Sequence, residues 1–313
     1  MRVSMFTFCA LLSLPLSAAD AAYSLVERWQ VNFGRGQERA TYLTAGCPDG
    51  TFYLADSYGR VAVIDAKGKV RSRQIRPEYA SASALACDAD SRLFIANSRE
   101  IVIIKKGTIV SRMPVTVNIT AMAPAAGGSI YAAGRARANT LPLHLIDSEG
   151  AVVKSFGIQS ADPFNRFYPR SNSSLVWQET LGRLLYIPKT EGFAIQAYRA
   201  DGESIGVFGK QAPHILPVRV AENSEPALGQ AVGAAALPHN QIAIQREVTQ
   251  WSWRGFASRV LEIYDARLRR IGVAPSDVRN LAGSTPDGDL FFATISPRGL
   301  QVFKVGLIKR LSL

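Results

Sequence analysis

Histidine is scarce in this 313-residue chain: His144, His214 and His239 are the only three, and no two stand at the short spacing of zinc ligands. A histidine-rich metal centre is therefore not expected. No Ser/His/Asp arrangement and no phosphate-cradling loop can be singled out, and Gly34-Arg35-Gly36 is a lone glycine-rich turn that reads as a connection. Cysteine is equally rare, and neither Cys47 nor Cys87 has a nearby histidine to activate a thiol. Helical periodicity is nearly absent, and after the N-terminal run no segment is apolar for long enough to span a bilayer.

That N-terminal run has its own reading. Arg2 supplies a positive start, Met5 to Leu16 is an apolar stretch short for a membrane span, and Ala19-Asp20-Ala21 offers small residues for cleavage. Residues 1–21 are expected to be a secretory signal peptide, with an uncleaved anchor as the alternative. Residues 22–313 would then form a single domain, secreted or periplasmic. Acidic residues are also in deficit, 25 against 36 basic ones, a net charge of +11. This favours an anionic partner, although even scatter of the charge for solubility is the competing reading. Nucleic acid has the matching sign but is not expected for an exported chain. Cys47 and Cys87 fall at nearly equivalent points of adjacent repeats, so they read either as a bridge or as two small buried thiols.

What the sequence does have is a repeat. Cys47 to Gly68 reads as a tight Asp49-Gly50 turn, a strand to Ala55, a polar turn ending at Arg60, a strand from Val61 to Ile64, and a further turn. The same plan returns five times. Taking Gly50, Ser91, Gly128, Arg183, Asn240 and Gly288 as equivalent points gives spacings of 41, 37, 55, 57 and 48 residues. An inner strand before each unit and an outer strand after it make four strands per blade, so the expected fold is an all-β, closed six-bladed β-propeller. Leu25 to Phe33 looks like an outer strand without a blade and could complete the last one; the C-terminal LIKRLSL competes for that place.

The motif PDGTFYLADSYGRVAVID, Pro48 to Asp65, resembles an NHL repeat, and the chain as a whole resembles the six-bladed class that includes NHL-type, regucalcin-like and bacterial exported propellers. This fold hosts binding modules, lactonases and lyases, so the resemblance implies a scaffold, and function rests on sites. A regucalcin-like lactonase would hold a divalent ion in the channel. Asp56 and Asn97, at the ends of equivalent strands, are the candidate ligands, although turn capping is the other role open to them. Amidating-lyase-like propellers use a histidine-rich zinc site, for which this chain lacks the residues.

Binding is the stronger expectation. Connections between second and third strands, and between one blade and the next, emerge on one face. The long ones span Gly134 to Pro142, Ile158 to Ser174, Lys210 to Gln230 and Arg246 to Arg259. They carry Arg135, Arg137, Arg166, Tyr168, Arg170, Trp251, Trp253, Arg254 and Arg259, the composition of a binding hot spot. Packing of these aromatics onto their own loops is the alternative. A second pattern, Arg60, Arg99, Arg137, Lys189, Arg259 and Arg298 at the start of third strands, suggests a crown of cations near the channel mouth, or else a turn-bonding role within the repeat. The expected function is thus binding of a protein, peptide or anionic glycan by a monomer without cofactor. A channel-centred hydrolase or lyase using Ca or Zn is the alternative.

Overall fold

The computed structural model describes residues 21–32, 42–56, 60–75, 82–136, 141–158, 173–188, 194–209, 228–249, 257–276, 280–296 and 299–309. Six four-stranded antiparallel blades form a ring. The chain starts with β1 (Ala21–Asn32). Blade 1 is β2 (Tyr42–Gly46), β3 (Phe52–Asp56), β4 (Arg60–Ile64) and β5 (Val70–Ile75). Blade 2 is β6 (Ala84–Cys87), β7 (Leu93–Ala96), β8 (Glu100–Lys105) and β9 (Thr108–Pro114). Blade 3 is β10 (Val117–Pro124), β11 (Ile130–Ala136), β12 (Leu143–Ile146) and β13 (Val152–Phe156). Blade 4 is β14 (Ser174–Gln178), β15 (Arg183–Ile187), β16 (Ile195–Arg199) and β17 (Ser204–Phe208). Blade 5 is β18 (Leu228–Leu237), β19 (Gln241–Thr249), β20 (Ala257–Tyr264) and β21 (Arg270–Ser276). Blade 6 is β22 (Asn280–Ser284), β23 (Leu290–Ser296), β24 (Gly299–Lys309) and β1.

The ring closes through its N-terminal strand. β1 runs antiparallel to β24 from Tyr23↔Lys309 to Asn32↔Gln301, and Ala21 and Ala22 also pair in parallel with Gly272 and Val273 of β21. Of the two closing candidates read from the sequence, the N-terminal strand takes the outer place. The start of LIKRLSL, as far as Lys309, only prolongs the third strand.

Each sheet is covered on both sides, so strands such as β7, Leu-Phe-Ile-Ala, are buried at every position. Among the described residues the core is six apolar clusters, one at each interface between neighbouring blades. Alternation divides the labour: Leu93 and Ile95 pack against blade 1, while Phe94 and Ala96 pack against blade 3. Burial of a side chain of that size contributes about 1.5–3 kcal/mol.

The turns are built by side-chain capping. Asp65 Oδ1 accepts the N–H groups of Lys67 and Lys69, and Asp88, Asp147 and Asp265 repeat the arrangement in other blades. The Lys69 N–H, with Arg71 beside it, holds the Asp65 carboxyl below its ordinary value. The Asp/Gly punctuation of the sequence is thus the turn chemistry itself.

Candidate functional site

The six inner strands wall a central cavity of about 830 Å³. Its lining is unusually small in side chain: Ala45, Gly46, Ala84, Ala86, Ala121, Ala123, Gly233 to Ala236 and Ala282 to Ser284 contribute. Inner strands converge toward the axis, and at places no side chain fits. A Cβ on Gly233 would meet the Leu281 carbonyl oxygen at 2.6 Å. Sparse side chains therefore let the blades meet and leave the channel open at once.

One end of the cavity reaches the face of the tight turns. There Asp88, Asp90, Arg92, Trp177 and Glu179 line it, together with Pro48, Gly127 and Pro286. Asp88 is buried and spent on its own turn, taking the Asp90 and Arg92 N–H groups and the Arg92 guanidinium at 2.6 Å. Glu179 accepts the Trp177 indole N–H. The indole in turn packs on Tyr131, ring centroids 4.8 Å apart, and the Tyr131 hydroxyl donates to the Ala200 carbonyl at 2.8 Å. Burial, followed by the nearby Glu179 and Asp201 charges, raises the Tyr131 hydroxyl.

In the described tight turns acidic residues outnumber basic ones about two to one.

The residues singled out from the sequence fare unequally. Asn97 Oδ1 accepts the Arg99 and Glu100 N–H groups at 2.8 and 2.9 Å, so it caps its turn. Asp56 ends β3 at the equivalent place, but its side chain lies outside the described residues. Among the described residues no three His, Cys, Asp or Glu side chains gather as a metal set. His144 is a core residue: fully buried, with Nδ1 2.8 Å from Ser155 Oγ and Nε2 3.3 Å from the Gly134 carbonyl. Desolvation lowers its pKa from the ordinary value.

Of the cations read as a crown, Arg60 starts β4, Arg99 directly precedes β8 and Arg259 lies near the start of β20, the third strands of blades 1, 2 and 5. Arg259 donates to Asn280 Oδ1 at 2.7 Å, across to the inner strand of blade 6. Arg135 is exposed on β11. Arg137, Arg166, Tyr168, Arg170, Lys189, Trp251, Trp253, Arg254 and Arg298 lie outside the described residues.

Three of the long insertions are shorter than expected. β18 begins at Leu228 and β11 continues to Ala136, inside the stretches read as loops. In blade 5 both ends of the stretch from Arg246 to Arg259 are sheet, because β19 extends to Thr249 and β20 starts at Ala257. Its β18–β19 ladder runs from Leu228↔Thr249 to Leu237↔Gln241, whereas the matching ladder in blade 1 runs only from Tyr42↔Asp56 to Gly46↔Phe52. The base of this hairpin is stiffened by a buried ionic group: Glu262 lies 3.2 Å from both the Arg246 and Arg270 guanidiniums and accepts the Tyr264 hydroxyl at 2.8 Å.

Comparison of the sequence with family models and with curated proteins finds no match. Among solved structures the chain is similar to a streptogramin B lyase, at TM-score 0.52 and 11% identity, over 89% of this chain and 98% of that one. It is similar to a catalytically inactive virginiamycin B lyase from Staphylococcus aureus with quinupristin, at TM-score 0.52 and 10% identity, over 90% and 99% of the two chains. A protein of unknown function from Bacteroides caccae matches at TM-score 0.52 and 12% identity, over 77% and 84%. At such identity the likeness is one of fold. The six-bladed propeller stands; NHL-type membership is a finer statement than these neighbours carry.

Proposed function

We propose that this protein is an exported binding propeller, without catalytic activity of its own, that holds a protein, peptide or anionic glycan on the face opposite the tight turns. The observation that carries the reading is the blade 5 hairpin, whose ladder runs four rungs beyond that of blade 1 toward this face. At about 3.3 Å per residue it projects roughly 13 Å further. The stretch that joins its two strands in sequence, residues 250–256, reads QWSWRGF, and Trp251, Trp253 and Arg254 are its candidate contacts. Two indoles and a guanidinium suit stacking and anion pairing, and the chain's net charge of +11 favours an anionic partner. Export rests on the residue pattern of 1–21 and agrees with the Cys47–Cys87 bridge, which persists in oxidising compartments.

The test compares the full chain with a W251A/W253A/R254A variant on an immobilised sulfated polysaccharide. The wild type is expected to be retained and the variant to elute at clearly lower salt; equal elution sinks the proposal. Metal analysis addresses the catalytic alternative. Stoichiometric Ca or Zn, lost on Asp56→Ala with Asn97→Ala, would turn the reading toward a channel-centred hydrolase or lyase.

A further inference from the structure

We propose that the tight-turn end of the central channel is a second, independent binding site, for a small organic cation with an apolar body. The cavity, at about 830 Å³, lies within the range of roughly 300–1,000 Å³ that holds small molecules. Its wall between blades 2 and 4 is apolar and low: Met122, Ala123, Pro124 and Ala125 of blade 3 lie there, with the neutral Gly127 turn above them. Trp177 is the one aromatic side chain among the described lining residues, and its ring is held in place from both sides. Tyr131 packs on one face, and the Glu179 carboxylate takes the indole N–H. An indole fixed beside a carboxylate is matched to an ammonium group, which gains from the ring quadrupole and the negative charge together.

Charge decides the sign of the occupant. Arg92 is the only cation among the described lining residues, and Asp88 engages it at 2.6 Å. Asp90, whose side chain is 69% exposed and 3.9 Å from the Arg92 guanidinium, and Glu179 stand at the mouth on either side of blade 3, leaving it net negative. The acidic lining residues Asp88, Asp90 and Glu179 outnumber Arg92, so the field at the tight-turn mouth draws a cation in and disfavours an anion there. This site shares no residue with the Trp251 hairpin, and failure of one proposal leaves the other standing.

The experiment is a calorimetric titration of the full chain, at low salt, with 3-phenylpropyltrimethylammonium and, separately, with 4-phenylbutyrate, which carries a phenylalkyl body with the opposite charge. Saturable binding of the ammonium compound is expected, weakened about tenfold by Glu179→Gln and by Asp90→Asn. Trp177→Leu should weaken it comparably, while Trp177→Phe, which keeps an aromatic face against Tyr131, retains part of the affinity. Glu179 and Asp90 are exposed, so their variants should unfold at the wild-type temperature, and Asp90→Asn, which leaves the Trp177 indole's partner in place, isolates the effect of charge. The proposal is overturned if the ammonium compound fails to saturate, if the carboxylate binds as tightly, or if Glu179→Gln and Asp90→Asn leave the affinity unchanged.

Discussion

Cys47 and Cys87 bridge the first two blades, their Cα atoms 5.1 Å apart although 40 residues separate them in sequence. Cys87 ends β6 and Cys47 directly follows β2, so the bond joins equivalent corners of neighbouring inner strands. The same corner is held by the Asp49 N–H, which donates to Ser91 Oγ at 3.0 Å. Of the two readings open from sequence, bridge or separate thiols, the structure takes the bridge. Closing a loop of this length removes about 4 kcal/mol of unfolded-state entropy in the chain-entropy model. Cys47→Ala with Cys87→Ala should lower the unfolding free energy by about 2–4 kcal/mol in a denaturant titration. Reductant should destabilise the wild type similarly and leave the double variant unmoved; a wild type indifferent to reductant would contradict the bond.

His144 should make the protein acid-sensitive. Desolvation between blades 2 and 3 lowers its folded pKa below the ordinary 6.5, the neutral ring being held by Ser155 and Gly134. As pH falls below about 6.5 the unfolded chain takes up a proton that the folded one refuses, so stability falls until the depressed folded pKa is passed. Above that window His144 contributes no pH dependence. The slope from this group is at most about 1.4 kcal/mol per pH unit. In His144→Gln the stability curve between pH 6.5 and pH 5 should be flatter than in the wild type, whatever the variant's absolute stability. Parallel curves would mean that His144 titrates alike in the folded and unfolded chain, against the lowered pKa.

Leu268 stands where other turns place glycine. Its φ is +60°, and the matching positions in blades 1, 3 and 4 are Gly68, Gly150 and Gly202, also at positive φ. A left-handed conformation costs an L-residue about 1–2 kcal/mol, yet Leu268 is buried in the cluster between blades 4 and 5. Packing against Tyr264 and its neighbours outweighs the strain. Leu268→Gly should therefore destabilise, by about 2 kcal/mol, even though it relieves the backbone. Leu268→Ala, which loses the packing and keeps the strain, should be worse. A Leu268→Gly protein more stable than wild type would refute this account.

The fold was legible because its signals are local. Gly50, Ser91, Gly128, Asn240 and Gly288 all fall in the turns between first and second strands, and Arg183 begins the second strand of blade 4. Capping Asp and left-handed Gly write those turns directly into the sequence. β18 is less legible: its first residues, 228–230, fall inside the stretch read as an insertion, and its run Gly233 to Ala236 offers no strand signal, because alanine and glycine carry little. Their smallness answers a neighbour 48 residues on, Leu281, which no local window contains. Trp177 gave no signal of its own, since an aromatic in an inner strand reads like any core residue until the ring is closed.

Closure of that ring turns on Trp29, and this makes the joint between blades 6 and 1 testable. A β-bulge in β1 falls between Glu27 and Trp29. Within it, Arg28 lies over Gly306 and reaches Asp289 at 3.7 Å, while the Trp29 indole crosses to blade 1. There its N–H donates to the Ala66 carbonyl at 3.2 Å, and its ring lies so close on Gly68 that a Cβ there would meet it at 2.8 Å. Phe291 continues the contact, 5.9 Å from Trp29 and 4.7 Å from Phe52. A closed ring is cooperative only if every blade interface holds, and this one is made by a strand from the opposite end of the chain. Trp29→Ala should cost about 3 kcal/mol, as for other large aromatic truncations. Gly68→Ala should also destabilise, through contact with the indole and through its φ of +82°. The two losses should not add, because the steric part of the Gly68→Ala penalty vanishes once the indole is gone. A double-mutant cycle in denaturant measures the coupling, and strict additivity would show that Trp29 does not pack on blade 1.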